Sequence, residues 1–173
     1  MGITRLNHAV LYVRDLDRSV AFYTRVLGFR VVPIAPAGFR AAFLQAAGSD
    51  NDHDLGLFEV GAGAGPSAAG RQTVGLYHLA WEVDTLEELE RIQGELGRAG
   101  ALGGMSDHGT SKSLYGHDPD GLEFEVAWFL PEELVDAEIL AARKSIRPLD
   151  LGREAARYGA TTPGRNAPQR PGP

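Results

Sequence analysis

Asn7-His8-Ala9-Val10-Leu11-Tyr12-Val13 and Tyr77-His78-Leu79-Ala80-Trp81-Glu82-Val83 are two versions of one segment. Each is apolar, rich in β-formers and carries a histidine at its second position, so each reads as a strand with a His near its start. The two histidines lie 70 residues apart. After the first strand, Asp15 or Asp17 offers a helix N-cap. Val20, Tyr23 and Leu27 then repeat at helical spacing, and Gly28 supplies a stop. Short strand candidates follow at residues 29–34, 41–44 and 55–60. After the second strand, Thr85-Leu86-Glu87-Glu88 fits a capping box. Leu86, Leu89 and Leu96 mark one helix face, and Gly97 and Gly100 close it. Strand candidates then surround Leu102, residues 111–115 and residues 122–128. Strand, helix and three strands thus occur twice in that order, which points to a duplicated βαβββ unit in an α+β fold.

The halves are expected at about residues 4–60 and 75–128, within one domain over 1–130. The segment from Gly61 to Gly70 consists only of Gly, Ala, Pro and Ser, and reads as a linker. A third helix is expected from Pro131-Glu132-Glu133, carrying Leu134, Val135 and Ile139, within a helical extension over 131–160. From Thr161 the chain has four prolines and no large apolar residue, so 161–173 is expected to form a tail without secondary structure.

The 173 residues suit one ordinary domain or two small halves. Apolar residues make up 43% and charged residues 23%, a globular rather than a disordered composition. A net charge of -6 argues against a nucleic-acid backbone or an anionic membrane surface as partner. No run of about 18 apolar residues suggests a membrane span, and the N-terminal residues lack a signal-peptide core, so a cytoplasmic location is expected. With no cysteine, any metal must sit on His, Asp or Glu.

If both strands are regular, His8 shares a face with Val10 and Tyr12, and His78 shares one with Ala80 and Glu82. A lone histidine in an apolar strand is ordinarily structural. Two at equivalent positions of a duplicated unit can face one cavity if the halves pack about a pseudo-twofold axis. Asp118-Pro119-Asp120-Gly121 is strong turn chemistry and launches a strand. In that strand Phe124, Val126 and Trp128 take one face, and Glu123, Glu125 and Ala127 take the other. The pattern leaves both glutamates open between a solvated edge and an inward carboxylate. Two histidines and one carboxylate would make the facial triad of non-haem Fe(II) oxygenases.

These segments resemble the vicinal oxygen chelate superfamily of glyoxalases, bleomycin-resistance proteins and extradiol dioxygenases. The resemblance is carried by Asn7-His8, by the run from Asp15 to Tyr23 with Leu27-Gly28-Phe29, by Tyr77-His78-Leu79-Ala80, and by the Asp118 to Gly121 turn followed by Glu125. It implies paired βαβββ units forming a curved mixed sheet around a metal site, with His8, His78 and Glu125 as ligands. Leu122 stands where Asn is common after the turn glycine.

Asn51-Asp52-His53-Asp54-Leu55-Gly56-Leu57-Phe58 and the run from Asp107 to Tyr115 resemble the extradiol branch. The resemblance implies His53 as acid–base group, Tyr115 as hydrogen-bond donor to a metal-bound oxygen, and His108 as a supporting group. The expected function is Fe(II)-dependent extradiol-type ring cleavage of a small catecholic or hydroquinone-like aromatic, with O2 as co-substrate. Mn, Ni or Zn are other metals such a site could take. In a regular strand Glu59 shares a face with His53, Leu55 and Leu57. An inward Glu59 would instead give a four-ligand, glyoxalase-type lyase or isomerase. A non-catalytic protein that binds an aromatic drug is the third reading, one that typically lacks the triad. Pocket residues are expected from 39–43, the linker and the third helix. A homodimer is expected, because two small units leave sheet edges and apolar faces to cover.

Overall fold

The Asp15 carboxylate accepts the Arg18 N–H at 2.9 Å, and Gly28 turns the chain in the left-handed region at φ 74°. Between these caps α1 spans Leu16–Leu27. The structure, a computed structural model, describes residues 2–34, 36–67, 69 and 72–167. The chain divides into two compact units. The first comprises Met1–Ser67 together with Asp118–Gly121. Its elements are β1 (Ala9–Val13), α1, β2 (Arg30–Val32), β3 (Ala41–Gln45) and β4 (Leu55–Glu59). They form a mixed sheet in the order β1-β4-β3-β2, with β1 parallel to β4 and the other pairs antiparallel.

Alternation sorts the faces of this sheet. Leu11, Val13, Ala42, Leu44, Leu55 and Leu57 are buried on the side that α1 covers with Leu16, Phe22, Tyr23 and Val26. Burying each Leu, Val or Phe among them contributes about 1.5–3 kcal/mol. Val10 and Tyr12 point the other way and are exposed. Within this unit the buried Tyr23 hydroxyl donates to Asp118 at 3.1 Å, and Arg14 binds Asp120 through its backbone N–H (3.0 Å) and its guanidinium (2.8 Å).

The second unit comprises Ala68–His117 and Leu122–Pro173. Thr85 caps α2 (Leu86–Arg98) by accepting the Glu88 N–H at 3.2 Å. The strands are β5 (Leu79–Glu82), β6 (Leu102–Asp107), β7 (Ser111–His117), β8 (Glu123–Phe129) and β9 (Arg147–Pro148), in the order β5-β8-β7-β6-β9. Here β5 is parallel to β8, and the remaining pairs are antiparallel. Leu86, Leu89, Ile92 and Leu96 of α2 are buried, as are Leu114, Phe124, Val126 and Trp128 on the sheet. The fold is therefore α+β, a βαβββ unit made twice, each with its own mixed sheet.

Two expectations need correction. Both histidine-bearing strands begin later than the sequence suggested, so His8 and His78 each sit one residue before their strand. The helix expected from Pro131 is split into a 3-10 turn (Glu132–Leu134) and the short α3 (Ala137–Ala142). The break occurs because Val135 is extended and the Asp136 carboxylate accepts the Ile139 N–H at 2.8 Å, starting a new helix. A further helix, α4 (Leu151–Tyr158), capped by Asp150, lies within the helical extension expected over 131–160. Residues 161–167 contain no helix or strand. They bond back to the second unit through Gly164 N–H to Asp84 and Arg165 N–H to Phe129. The rest of the expected tail lies outside the described residues. No helix among the described residues is long and apolar enough to cross a membrane.

Candidate functional site

In the first unit, the face of the sheet opposite α1 carries an aromatic cluster. Register puts Val10 beside Gly56 and Tyr12 beside Phe58, with Phe43 across from Gly56. Phe39 stacks on Phe58 at 5.2 Å, and Phe43 meets Phe58 edge-on at 6.0 Å between ring centroids. Gly56 is what lets this floor close: a Cβ there would come within 3.3 Å of both Val10 and Phe58.

His8 and His53 stand together on the same face. Their rings are 4.5 Å apart, and His53 also meets the Phe43 ring at 4.9 Å. A polar loop holds them there. Asn51 donates to the Asn7 carbonyl at 2.9 Å and to Asp54 at 2.7 Å, and accepts from Arg5 at 2.6 Å. The Asn7 side-chain oxygen lies 2.7 Å from His8 Nδ1, and an Asp52 oxygen lies 2.9 Å from His53 Nδ1. Both partners are acceptors, so each Nδ1 carries the hydrogen, and in a neutral ring each Nε2 keeps its lone pair.

Glu59 belongs elsewhere. It pairs in register with the fully buried Val13, on the α1 side of the sheet. Its Oε2 accepts the Leu16 N–H at 2.9 Å, at the N-terminus of α1, and its Oε1 lies 3.6 Å from Arg40. The shared face expected for His53 and Glu59 fails because β4 begins only at Leu55. Upstream of it, the Asp54 carboxylate accepts from Ala46 N–H, Ser49 and Asn51 and turns the chain, which places His53 on the His8 face instead.

In the second unit, β7 and β8 carry the remaining candidates. Tyr115 is paired in register with Glu125, and His117 with Glu123. His78 Nε2 lies 3.3 Å from Glu125 Oε2, and its Nδ1 faces Glu123 Oε1 at 3.7 Å without a hydrogen bond. The Tyr115 hydroxyl and His108 Nε2 share a hydrogen bond at 2.9 Å. Burial raises the Tyr115 hydroxyl above its ordinary pKa, and the Glu125 charge adds to that, so it stays protonated at neutral pH.

The candidates thus fall into two groups: His8 with His53 in one unit, and His78, Glu125, Tyr115 and His108 in the other. Among the described residues, neither unit by itself gathers three His, Asp or Glu side chains at metal-holding distance. Sequence reading quoted Phe58 in a motif without giving its ring a role, and missed the orienting roles of Asn7 and Asp52. The signal for Phe58 was present in β4, where Gly56 and Phe58 alternate with the buried Leu55 and Leu57.

Residues 5–126 match the glyoxalase/bleomycin resistance protein/dioxygenase superfamily. The chain is 35% identical over 126 residues to a catechol-2,3-dioxygenase of Bacillus subtilis, covering 71% of this chain and 41% of that enzyme. It is also 35% identical over 136 residues to biphenyl-2,3-diol 1,2-dioxygenase 3 of Rhodococcus globerulus, covering 76% of this chain and 68% of that one. A lactoylglutathione lyase of Salmonella typhimurium is 29% identical over 123 residues, 70% of this chain and 90% of the lyase. Among solved structures, a glyoxylase/bleomycin resistance protein/dioxygenase domain from Frankia superposes with a TM-score of 0.61 at 24% identity, over 73% of this chain and 92% of that domain. The chain spans less than half of the Bacillus enzyme, and the matches include both oxygenases and lyases. With most of its length matched and the duplicated βαβββ unit in place, the chain belongs to the glyoxalase/bleomycin resistance protein/dioxygenase superfamily.

Proposed function

We propose that the chain is a non-haem Fe(II)-dependent extradiol-type dioxygenase that opens the ring of a small catecholic or hydroquinone-like aromatic. His8, His78 and Glu125 are the ligands in this reading, and His53, Tyr115 and His108 handle protons and developing charge. One observation carries it: His53 stands beside His8 with Nε2 free, while Glu59 is committed to α1 on the opposite face. A lyase with Glu59 as fourth ligand would need the reverse.

Two of the three proposed ligands are spaced as ligands of one ion would be. Two ligands about 2.1 Å from one ion sit roughly 3.0–3.4 Å apart, and His78 Nε2 and Glu125 Oε2 are 3.3 Å apart. The free Nε2 of His8 is the lone pair such an ion takes. Iron(II) held by this donor set would supply the Lewis-acid and redox chemistry that joins a catechol to O2.

The chain's own groups do the rest. His53 Nε2 accepts a substrate hydroxyl proton and later returns it, while Asp52 fixes the tautomer through Nδ1. The Tyr115 hydroxyl, kept neutral, donates to an oxygen as negative charge develops on it. His108 sets the direction of that hydroxyl. The rings of Phe39, Phe43 and Phe58 offer an apolar surface to an aromatic substrate. Both atoms of O2 end in the ring-opened product, so no external reductant is needed.

We assign this activity to a cytoplasmic homodimer. The exposed Leu134, Leu140 and Ile146 offer apolar surface for an interface. Light scattering at micromolar concentration checks the assembly, and a monomer mass refutes it. The activity is tested by anaerobic loading with Fe(II), followed by oxygen uptake with a panel of catechols and hydroquinones. Catechol-dependent uptake with a ring-opened product is expected. Bound iron without oxygen consumption across the panel refutes the reading.

A further inference from the structure

The turn that carries His108 is held by buried charges on the side of the sheet away from Tyr115. Lys112 alternates with Tyr115 along β7 and points to the opposite face, where its side chain is 2% exposed. Its Nζ lies 2.5 Å from Asp107 Oδ1 and 3.0 Å from Glu154 Oε2, and it donates to the Gly109 carbonyl at 3.2 Å. Asp107 accepts the Gly109 N–H at 2.8 Å and the Arg147 guanidinium at 3.0 Å. Both peptide groups of Gly109, the residue after His108, are therefore pinned by Lys112 and Asp107.

The C-terminal segment closes the arrangement. Glu154 comes from α4 and Arg147 from β9. The backbone of α3 presses on the turn itself: a Cβ at Gly109, whose φ is +79°, would lie 2.8 Å from the Ile139 carbonyl oxygen and 3.0 Å from Arg143 N. All three elements lie beyond the stretch that matches the superfamily, which ends at residue 126. Burying Lys112, Asp107 and Glu154 carries a desolvation penalty that an apolar trio of the same volume would avoid. What the ions supply is a fixed geometry for one turn.

We propose that Lys112, bridging Asp107 and Glu154, is a positioning residue that sets His108 against Tyr115. The segment from α3 to α4 thereby becomes part of the working site. This rests on the reading of His108 and Tyr115 as working groups of the dioxygenase.

The test is long-range proton–nitrogen NMR of the full chain labelled at histidine nitrogen and free of iron. The His108 Nε2 signal is assigned by its loss in His108→Gln, and its response to a broken hydrogen bond is calibrated with Tyr115→Phe. Lys112→Met is expected to move the signal as Tyr115→Phe does. Glu154→Ala should move it the same way, and Glu154→Gln, which keeps an acceptor, should hold it at the wild-type position. In the iron-loaded enzyme, Lys112→Met should lower kcat about 10²-fold, the scale of an ångström-sized misplacement, with KM within about twofold. A Lys112→Met protein that melts earlier but leaves the His108 signal at its wild-type position overturns the proposal. If Lys112→Met does not fold, the two Glu154 variants decide by the same signal: identical spectra for both overturn it. A wild type without oxygen uptake refutes the dioxygenase reading alone, and the NMR comparison still judges the positioning role.

Discussion

Replacing Glu59 by Gln separates a helix cap from a metal ligand. Glu59 Oε2 accepts the N–H of Leu16, one of the N-terminal donors that α1 cannot satisfy internally. A glutamine keeps a side-chain oxygen for that bond. What it loses is negative charge at the positive end of the α1 dipole, about 0.3–1 kcal/mol. The Arg40 contact is largely exposed and screened, so it adds little. For a chain of this size the expected fall in Tm is about 1–4 °C. Glu59→Ala also removes the acceptor and costs a further ~0.5–1.5 kcal/mol. Thermal scans by circular dichroism read both steps. Metal content after dialysis and catechol-dependent oxygen uptake should equal those of the wild type in both variants. A Glu59→Gln protein that keeps its Tm but sheds its metal would refute the assignment and restore the four-ligand reading.

His53→Ala should leave metal content unchanged and lower turnover by about 10²–10⁴, the scale of a lost acid–base group; loss of metal in this variant would contradict the role. Gly109→Ala forces a left-handed backbone on a residue with a side chain and drives its Cβ into the α3 backbone. Denaturant titration should show a loss of at least ~2 kcal/mol. Burial pushes the Asp107 carboxyl up, but the Lys112 hydrogen bond, the Gly109 N–H and the Lys112 and Arg147 charges outweigh it and hold the group below the usual aspartate value. Its stabilising effect is therefore complete above the unfolded value of about 4 and is lost as pH falls through the folded value. Stability measured against pH should decline less steeply below about pH 4 in Asp107→Asn than in the wild type.

The duplicated unit was legible because its signals are local. Asp15 and Gly28 bracket one helix, Thr85 opens the other, and Asp118 to Gly121 can hardly be anything but a turn. The His8 and His78 strands announced the repeat, though both were read as starting too early. Position relative to a sheet face was harder. Counting by twos from Leu55 back to His53 assumes an unbroken strand, and the Asp54 carboxylate had already turned the chain. Lys112 sits in an ordinary alternating run, Ser111-Lys112-Ser113-Leu114-Tyr115, where a lysine reads as solvated. Its burial depends on Glu154, which only tertiary packing brings near. A helical extension over 131–160 was legible, but α4 within it has too few apolar residues for its bounds at Asp150 and Gly159 to be drawn from the sequence.

The parallel pairing of β1 with β4 and of β5 with β8 bears on the order in which the molecule forms. The antiparallel pairs β3–β4 and β7–β8 join strands that follow one another directly in sequence. The parallel pairs instead join the first and last strands of each repeat, Ala9 with Leu55 and Leu79 with Phe124. Closing so long a loop costs chain entropy before any hydrogen bond repays it, so the hairpins are expected to zip first and the opening strand of each repeat to dock late. His8 and His78 stand immediately before those opening strands. Under the proposed assignment, a chain stalled at its hairpins would own most of its secondary structure but would not yet have seated either of the two histidine ligands.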